Sequence, residues 1–204
     1  MAVAGQRIIG LTGGIATGKS TVANYLSNTY GVPLLDADLY ARQGVEPGSL
    51  VWQAIVQRYG PQIALADGQL DRVRLGEIIF SQPAERLWLE AQIHPQVRDR
   101  LKQDSQALST EPALVMVIPL LFEARMTDLV TEIWVVTCPA PQQLARLIAR
   151  NALTPLQAQA RINSQMPLEQ KVAAADVVLD NSSTPAALFP QVDRAWQGGI
   201  NLES

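Results

Sequence analysis

The sequence predicts an α/β protein built on a five-stranded parallel sheet flanked by helices. Three observations carry this. Five short apolar runs rich in Val, Ile and Leu alternate with segments of helical spacing, the pattern of strands buried on both faces and joined by helical crossovers. The first run feeds a glycine-rich turn that opens directly into a helix. A long block, Leu50 to Leu108, has helical spacing and no strand, and so reads as an insertion able to form its own lobe.

Taken in order, Arg7–Thr12 is the first strand. It leads into Gly10-Leu11-Thr12-Gly13-Gly14-Ile15-Ala16-Thr17-Gly18-Lys19-Ser20-Thr21, which contains G-x-x-x-x-G-K-S. A helix over Lys19–Asn28 follows and Gly31 ends it. Strand, glycine-rich loop and helix in this order make a phosphate-binding P-loop. Glycines let successive backbone N–H groups converge on phosphate oxygens, and the helix N-terminus adds roughly half a positive charge. The nucleotide-binding set is therefore Gly13, Gly14, Ile15, Ala16, Thr17, Gly18, Lys19, Ser20 and Thr21. Lys19 reaches the β- and γ-phosphates and Ser20 ligates Mg²⁺. A glycine-rich turn that binds nothing would not require all of these residues and both flanking elements.

Val32–Asp36 is a second, short strand with Pro33 near its start. In extended chain the carboxylates of Asp36 and Asp38 share a face, and at the carboxyl end of a parallel strand that face is the ligand crevice. The competing reading is two acidic residues that begin the next helix, with Asp38 as its cap; spacing alone does not choose. Leu39–Gln43 begins a helix that Glu46-Pro47-Gly48 breaks, and Leu50–Tyr59 is helical until Gly60-Pro61. Asp67-Gly68 is a turn. Arg72–Leu108 is mainly helical, interrupted at Gln82-Pro83 and His94-Pro95, with Leu87, Leu89, Ile93, Val97 and Leu101 as its buried face. His94 has nothing nearby spaced to orient it and is read as structural, not as a general base.

Ala113–Ile118 is the most apolar run and reads as a central parallel strand. Pro119-Leu120-Leu121-Phe122-Glu123 follows as a loop or first helical turn. Many P-loop proteins carry an aspartate at the end of this strand to help hold Mg²⁺; here there is none, so Asp36, Asp38 or Glu123 has to help. Ile133–Thr137 is the fourth strand, stopped by Cys138-Pro139, and Pro141 starts a helix on which Arg146 and Arg150 share a face. Pro155–Ala175 is a further helical block carrying Arg161 and Lys171. These four cations can clamp transferring phosphates in a closing lid; the blander reading is a solvated basic face. Val177–Asn181 is the fifth strand, Pro185–Trp196 the last helix, and the tail from Gly198 is expected to fray.

Composition excludes several classes. Of 204 residues, 48% are hydrophobic and 17% charged, which fits a globular protein and not a disordered one. The net charge of −3 gives no support to nucleic-acid binding. Three lysines stand against thirteen arginines, a bias that suits bidentate phosphate recognition. One cysteine, Cys138, and one histidine allow neither an intramolecular disulfide nor a Cys/His metal cluster. No basic-then-apolar leader and no membrane-length apolar run is seen, so a cytoplasmic location without a membrane partner is expected.

Beyond the loop, the chain resembles the dephospho-coenzyme A kinase family in motif after motif. These are Asp36-Ala37-Asp38 with Ala41-Arg42, Glu46-Pro47-Gly48, Asp67-Gly68-Gln69-Leu70-Asp71-Arg72 and Ile93-His94-Pro95. Then come Pro119-Leu120-Leu121-Phe122-Glu123, Arg146-Leu147 with Arg150, Arg161-Ile162 with Gln165, Lys171, Ala175-Asp176 and Asp180-Asn181. The resemblance covers about Ile8 to Asn181. It implies transfer of the ATP γ-phosphoryl to the ribose 3′-hydroxyl of dephospho-CoA. It also implies a P-loop NTPase kinase core (residues 1–45, 109–140 and 172–204), a helical acceptor-binding insertion (46–108) and a lid (141–171). By the same resemblance Asp38 is the catalytic carboxylate, Gly13 to Thr21 with Lys19 is the phosphate-binding loop, and Arg146 and Arg150 are the lid arginines; from the loop pattern and the acidic candidates, Ser20 and Asp36 are the residues expected to serve Mg²⁺. ATP and dephospho-CoA are the implied partners, for a monomer or small homo-oligomer. One departure is Val117, where many relatives have aspartate.

Two other functions suit the loop. A nucleoside monophosphate or shikimate-type kinase shares core and lid, but the long insertion favours a larger acceptor. A GTP-driven regulatory switch needs a guanine-reading Asn-Lys-x-Asp after a strand. The sequence has none, and Asp180-Asn181-Ser182 is no substitute.

Overall fold

The computed structural model describes residues 5–200, with side chains to residue 198. In chain order the elements are β1 (Arg7–Gly13), α1 (Lys19–Tyr30), β2 (Leu34–Asp36), α2 (Ala37–Gln43), α3 (Leu50–Tyr59), α4 (Arg72–Ser81) and α5 (Pro83–Ala107). They continue as β3 (Ala113–Val117), β4 (Glu132–Thr137), α6 (Ala140–Asn151), α7 (Pro155–Asn163), α8 (Leu168–Ala173), β5 (Val177–Asp180) and α9 (Pro185–Ile200). The chain divides into two compact units, Met1–Leu35 with Ser105–Ser204, and Asp36–Asp104.

The first unit holds the sheet. Its strand order is β2-β3-β1-β4-β5, and β1–β3, β1–β4 and β4–β5 pair in parallel. All five residues of β3 are buried, which is why its sequence is a continuous apolar run and does not alternate. Ile9 and Leu11 of β1 pack with Val115, Trp134 and Val136 from the neighbouring strands, and with Val22 and Leu26 of α1 and Leu188 and Val192 of α9. Gly31 closes α1 in the left-handed conformation. The last helix continues past Trp196 to Ile200. Arg7 donates to the carbonyls of Ala195 and Trp196 at 3.0 and 2.7 Å, which ties this helix to β1 within its expected length. The rest of the expected tail, 201–204, lies outside the described residues.

The block 155–175 is two helices: α7, started by a Thr154–Gln157 capping box, and α8, separated from it by residues 164–167. Pro167 sets the start of α8.

The second unit has its own apolar centre of Val45, Val51, Ile55, Ile63, Leu70, Leu75 and Leu89. Ser49 caps α3 and Asp71 caps α4 through backbone N–H groups. The expected break at Gln82 occurs, but α5 runs straight through His94-Pro95. Proline in a helix interior costs about 3 kcal/mol. Buried Leu89 on one side of Pro95 and Val97 and Leu101 on the other each contribute about 1.5–3 kcal/mol, so packing overrides the local penalty. Leu87, expected in the buried face, is 60% exposed.

Glu85 ties this unit together. Its carboxylate accepts from Arg58 Nε and Nη2 at 2.7 and 2.9 Å and from the Tyr59 hydroxyl at 2.6 Å, while the Arg58 guanidinium stacks on Trp88. The Arg58 guanidinium first, and then the Tyr59 hydroxyl, hold the Glu85 carboxyl down at about 2. A depressed carboxyl pKa gives stability above the unfolded value, about 4.3, that is lost as pH falls through the folded one. Wild type should therefore melt above Glu85→Gln near neutral pH, with the gap closing between pH about 4.3 and about 2. Thermal melts of both proteins across that range check this; a gap independent of pH would remove the charge from the explanation.

Candidate active site

The phosphate loop is built by close approach. Gly13 has φ +146° and Gly18 φ +107°, and a methyl group on either would overlap the Val136 carbonyl or the Asn181 amide. Ala16 takes the left-handed region at φ +61° without being glycine, a strain on the order of 1 kcal/mol that the loop's bonds must hold. Thr17 Oγ1 donates to the Gly14 carbonyl at 2.9 Å. Lys19 Nζ donates to the carbonyls of Gly14 and Gly13 at 2.8 and 3.3 Å. Its ammonium thus lies folded back onto the loop backbone. Ser20 is exposed at the start of α1.

Three carboxamides from distant segments grip this loop. Gln143 Nε2 on α6 donates to the Ile15 carbonyl at 2.9 Å. Gln165 Oε1, between α7 and α8, accepts from the Ile15 N–H at 2.8 Å. Asn181 Nδ2, after β5, donates to the Thr17 carbonyl at 2.8 Å. The sequence reading missed Gln143; Gln165 and Asn181 entered it only as parts of motifs. The available signal for Gln143 is a polar residue one turn from buried Leu147 on the same face of α6. A cavity of about 700 Å³ opens beside Gly14, Cys138, Gln143 and Gln165. Burial pushes the Cys138 thiol above its usual range, so it is not poised as a nucleophile.

The four expected lid cations separate into different environments. Arg146 is half-buried, and its Nη2 donates to the Asn181 carbonyl at 3.0 Å. Its Nη1 is buried without a hydrogen-bond partner among the described residues. Arg150 is exposed, with Nε on Asn151 Oδ1 at 2.9 Å, and Arg161 is also exposed. Lys171 is fully buried: its Nζ pairs with Glu123 Oε1 at 2.9 Å and donates to the Pro119 carbonyl at 3.1 Å. It therefore belongs to the interior and not to a phosphate clamp. The same Glu123 Oε1 also accepts from the Met166 N–H at 2.9 Å, while its Oε2 is buried without a hydrogen-bond partner among the described residues.

The acidic pair resolves differently from the simple cap. Asp36 caps α2: its Oδ1 accepts from the N–H groups of Asp38 and Leu39 at 2.8 and 3.3 Å. Asp38 is exposed in the first turn, so the cap is Asp36 and not Asp38. Val117 is buried. No group of three or more metal-ligating side chains occurs among the described residues. The Ser20 hydroxyl and the Asp36 carboxylate are oxygen donors, the kind magnesium takes.

The family model for dephospho-CoA kinase matches residues 7–186. The chain belongs to the dephospho-CoA kinase family. A dephospho-CoA kinase of Synechocystis sp. strain PCC 6803 is 60% identical over 94% of this chain and 95% of its own length. A Thermus thermophilus protein of known crystal structure superposes with TM-score 0.79 at 33% identity, over 98% of each chain. Dephospho-CoA kinase from Campylobacter jejuni superposes with TM-score 0.70 at 27% identity, over 93% of this chain and 95% of its own. The chain is thus a P-loop kinase that uses ATP as phosphoryl donor. No helix among the described residues is long and apolar enough to cross a membrane.

Proposed function

We propose that this kinase transfers the ATP γ-phosphoryl to the ribose 3′-hydroxyl of dephospho-CoA, giving coenzyme A and ADP in the final step of coenzyme A biosynthesis. The observation that carries the reading is a complete phosphate loop, with Lys19 folded back onto its backbone, inside a family match that spans residues 7–186.

The roles follow from chemistry. The 3′-oxygen bonds to the γ-phosphorus, the bond from that phosphorus to the ADP oxygen breaks, and the hydroxyl proton passes to Asp38. Backbone N–H groups of Gly13 to Thr21 cradle the phosphates and Lys19 balances charge at the β- and γ-positions. Ser20 and Asp36 would hold Mg²⁺, which would neutralise phosphate charge. Capping engages Asp36 Oδ1. Arg146 and Arg150 complete the phosphate clamp on lid closure. The unpartnered buried Nη1 of Arg146 supports this, because such a group in a native protein awaits a ligand or water. Residues 1–45, 109–140 and 172–204 form the nucleotide core, 46–108 the acceptor-binding insertion and 141–171 the lid. The enzyme works in the cytoplasm as a monomer or small homo-oligomer, with neither nucleic acid nor membrane as partner.

A coupled ADP-release assay with dephospho-CoA, AMP and shikimate side by side tests the acceptor. Turnover is expected with dephospho-CoA alone; turnover with AMP or shikimate instead would replace the acceptor assignment. In the same assay Arg146→Ala and Arg150→Ala should each lower turnover more than they weaken dephospho-CoA binding. If calorimetry puts the main loss in dephospho-CoA affinity, the arginines belong to the acceptor site.

A further inference from the structure

Two glutamines hold opposite ends of one loop peptide unit pair. Gln165 accepts from the Ile15 N–H, and Gln143 donates to the Ile15 carbonyl. Ile15 follows Gly14, whose carbonyl receives Lys19, and precedes Ala16 at φ +61°. Within the loop, few bonds fix this stretch: Thr17 reaches back to the Gly14 carbonyl through its hydroxyl at 2.9 Å and its N–H at 3.4 Å. The orientation of Ile15 is therefore set from outside, by side chains more than a hundred positions away in sequence.

Gln165 is itself pinned. The N–H of its neighbour Met166 donates to Glu123 Oε1, which pairs with buried Lys171. Lys171 also donates to the Pro119 carbonyl, which accepts from Thr12 Oγ1 at 3.2 Å. Thr12 lies in β1 just ahead of the loop. The bonds form a circuit that leaves the strand before the loop, crosses the buried ion pair, and returns through Gln165 to the loop. Glu123 Oε2 is buried without a hydrogen-bond partner among the described residues, so the network is not fully satisfied, but its linked bonds still favour one arrangement of the segment.

We propose that Gln165, steadied by the Glu123–Lys171 pair and opposed by Gln143, is a positioning residue for nucleotide binding: it fixes the Ile15 peptide groups so that the phosphate loop stands preformed before ATP arrives. This rests on the nucleotide-site reading of the loop. Preforming a site lowers the ordering that binding must otherwise impose. The segment between α7 and α8 is thereby linked to the affinity for nucleotide through the Ile15 backbone.

Calorimetry on the full chain with ADP and with MgATP, in wild type, Gln165→Met, Gln143→Met and the double variant, tests this. Methionine keeps length and removes both polar atoms. Each single variant should bind ADP about fivefold more weakly, the effect of one neutral hydrogen bond, with dephospho-CoA affinity unchanged. Because both glutamines act on one residue, the double variant should lose about as much as the worse single one, not the product. Gln165→Ala should repeat the loss and serves if the methionine variant misfolds. Unchanged ADP affinity in these variants, or losses that multiply, would overturn the proposal. Tighter nucleotide binding by Gln165→Met would also overturn it, and would make Gln165 a competitor for the Ile15 N–H. Failure of wild type to bind either nucleotide would instead remove the nucleotide-site reading itself.

Discussion

Lys19→Ala is expected to lose turnover by a factor of about 100 to 1,000, the usual effect of deleting one charge stabiliser of a transition state, while the protein melts as wild type does. The ammonium rests on the Gly14 and Gly13 carbonyls at 2.8 and 3.3 Å, acceptors that can be solvated once it is gone, so folding does not depend on it. During transfer, charge spreads over the γ-phosphoryl oxygens and the leaving oxygen of ADP. A flexible cation at that place follows the charge, which a neutral methyl cannot do. Steady-state ADP release with a melt run beside it separates the two effects. Unchanged turnover would overturn the assignment of the loop.

Asp38→Asn is expected to have a comparable effect by a different route. A ribose hydroxyl is a poor nucleophile, and a positioned carboxylate contributes roughly 100- to 10,000-fold. A loose transition state asks more for orientation than for proton abstraction, which puts the effect low in that range. Asparagine keeps shape and one acceptor but not the anion. Because Asp36 is the cap of α2, the Asp38 change should leave the melt nearly unmoved and ATP affinity within a few-fold. Asp36→Asn makes the companion test: asparagine caps about as well as aspartate, so any defect there reports the metal and not the helix. Turnover of both variants across a Mg²⁺ titration decides. Full recovery of Asp38→Asn at high Mg²⁺ would make Asp38 a metal ligand and not the base.

Most of the fold was legible because strands buried on both faces leave an unmistakable apolar run, as β3 does over Ala113–Val117. The loop was legible because its requirements are local: glycines where a Cβ would overlap, and a lysine and a serine at the start of a helix. What escaped was decided over long distances. Pro95 reads as a break, yet α5 passes through it because the residues flanking it are buried elsewhere. Lys171 shares a segment with solvent-facing cations, and only the approach of Glu123 reveals that its face is turned inward. Nothing local to Gln143 or Gln165 names their common target, Ile15, which lies more than a hundred positions away. Asp36 and Asp38 illustrate a middle case, where spacing defined two candidates and only the backbone turn chose the cap.

The Lys171–Glu123 pair also constrains how this chain can change over generations. Removing one member of a buried pair strands a charge and costs about 3–5 kcal/mol, whereas replacing both with apolar groups can be neutral or better. Every one-step route away from the pair therefore descends through a poorly folded intermediate, although the two-step destination is open. Drift at these two positions is expected to be slow and correlated, because each also holds a backbone group: Glu123 accepts from the Met166 N–H and Lys171 donates to the Pro119 carbonyl, obligations that apolar replacements leave unmet.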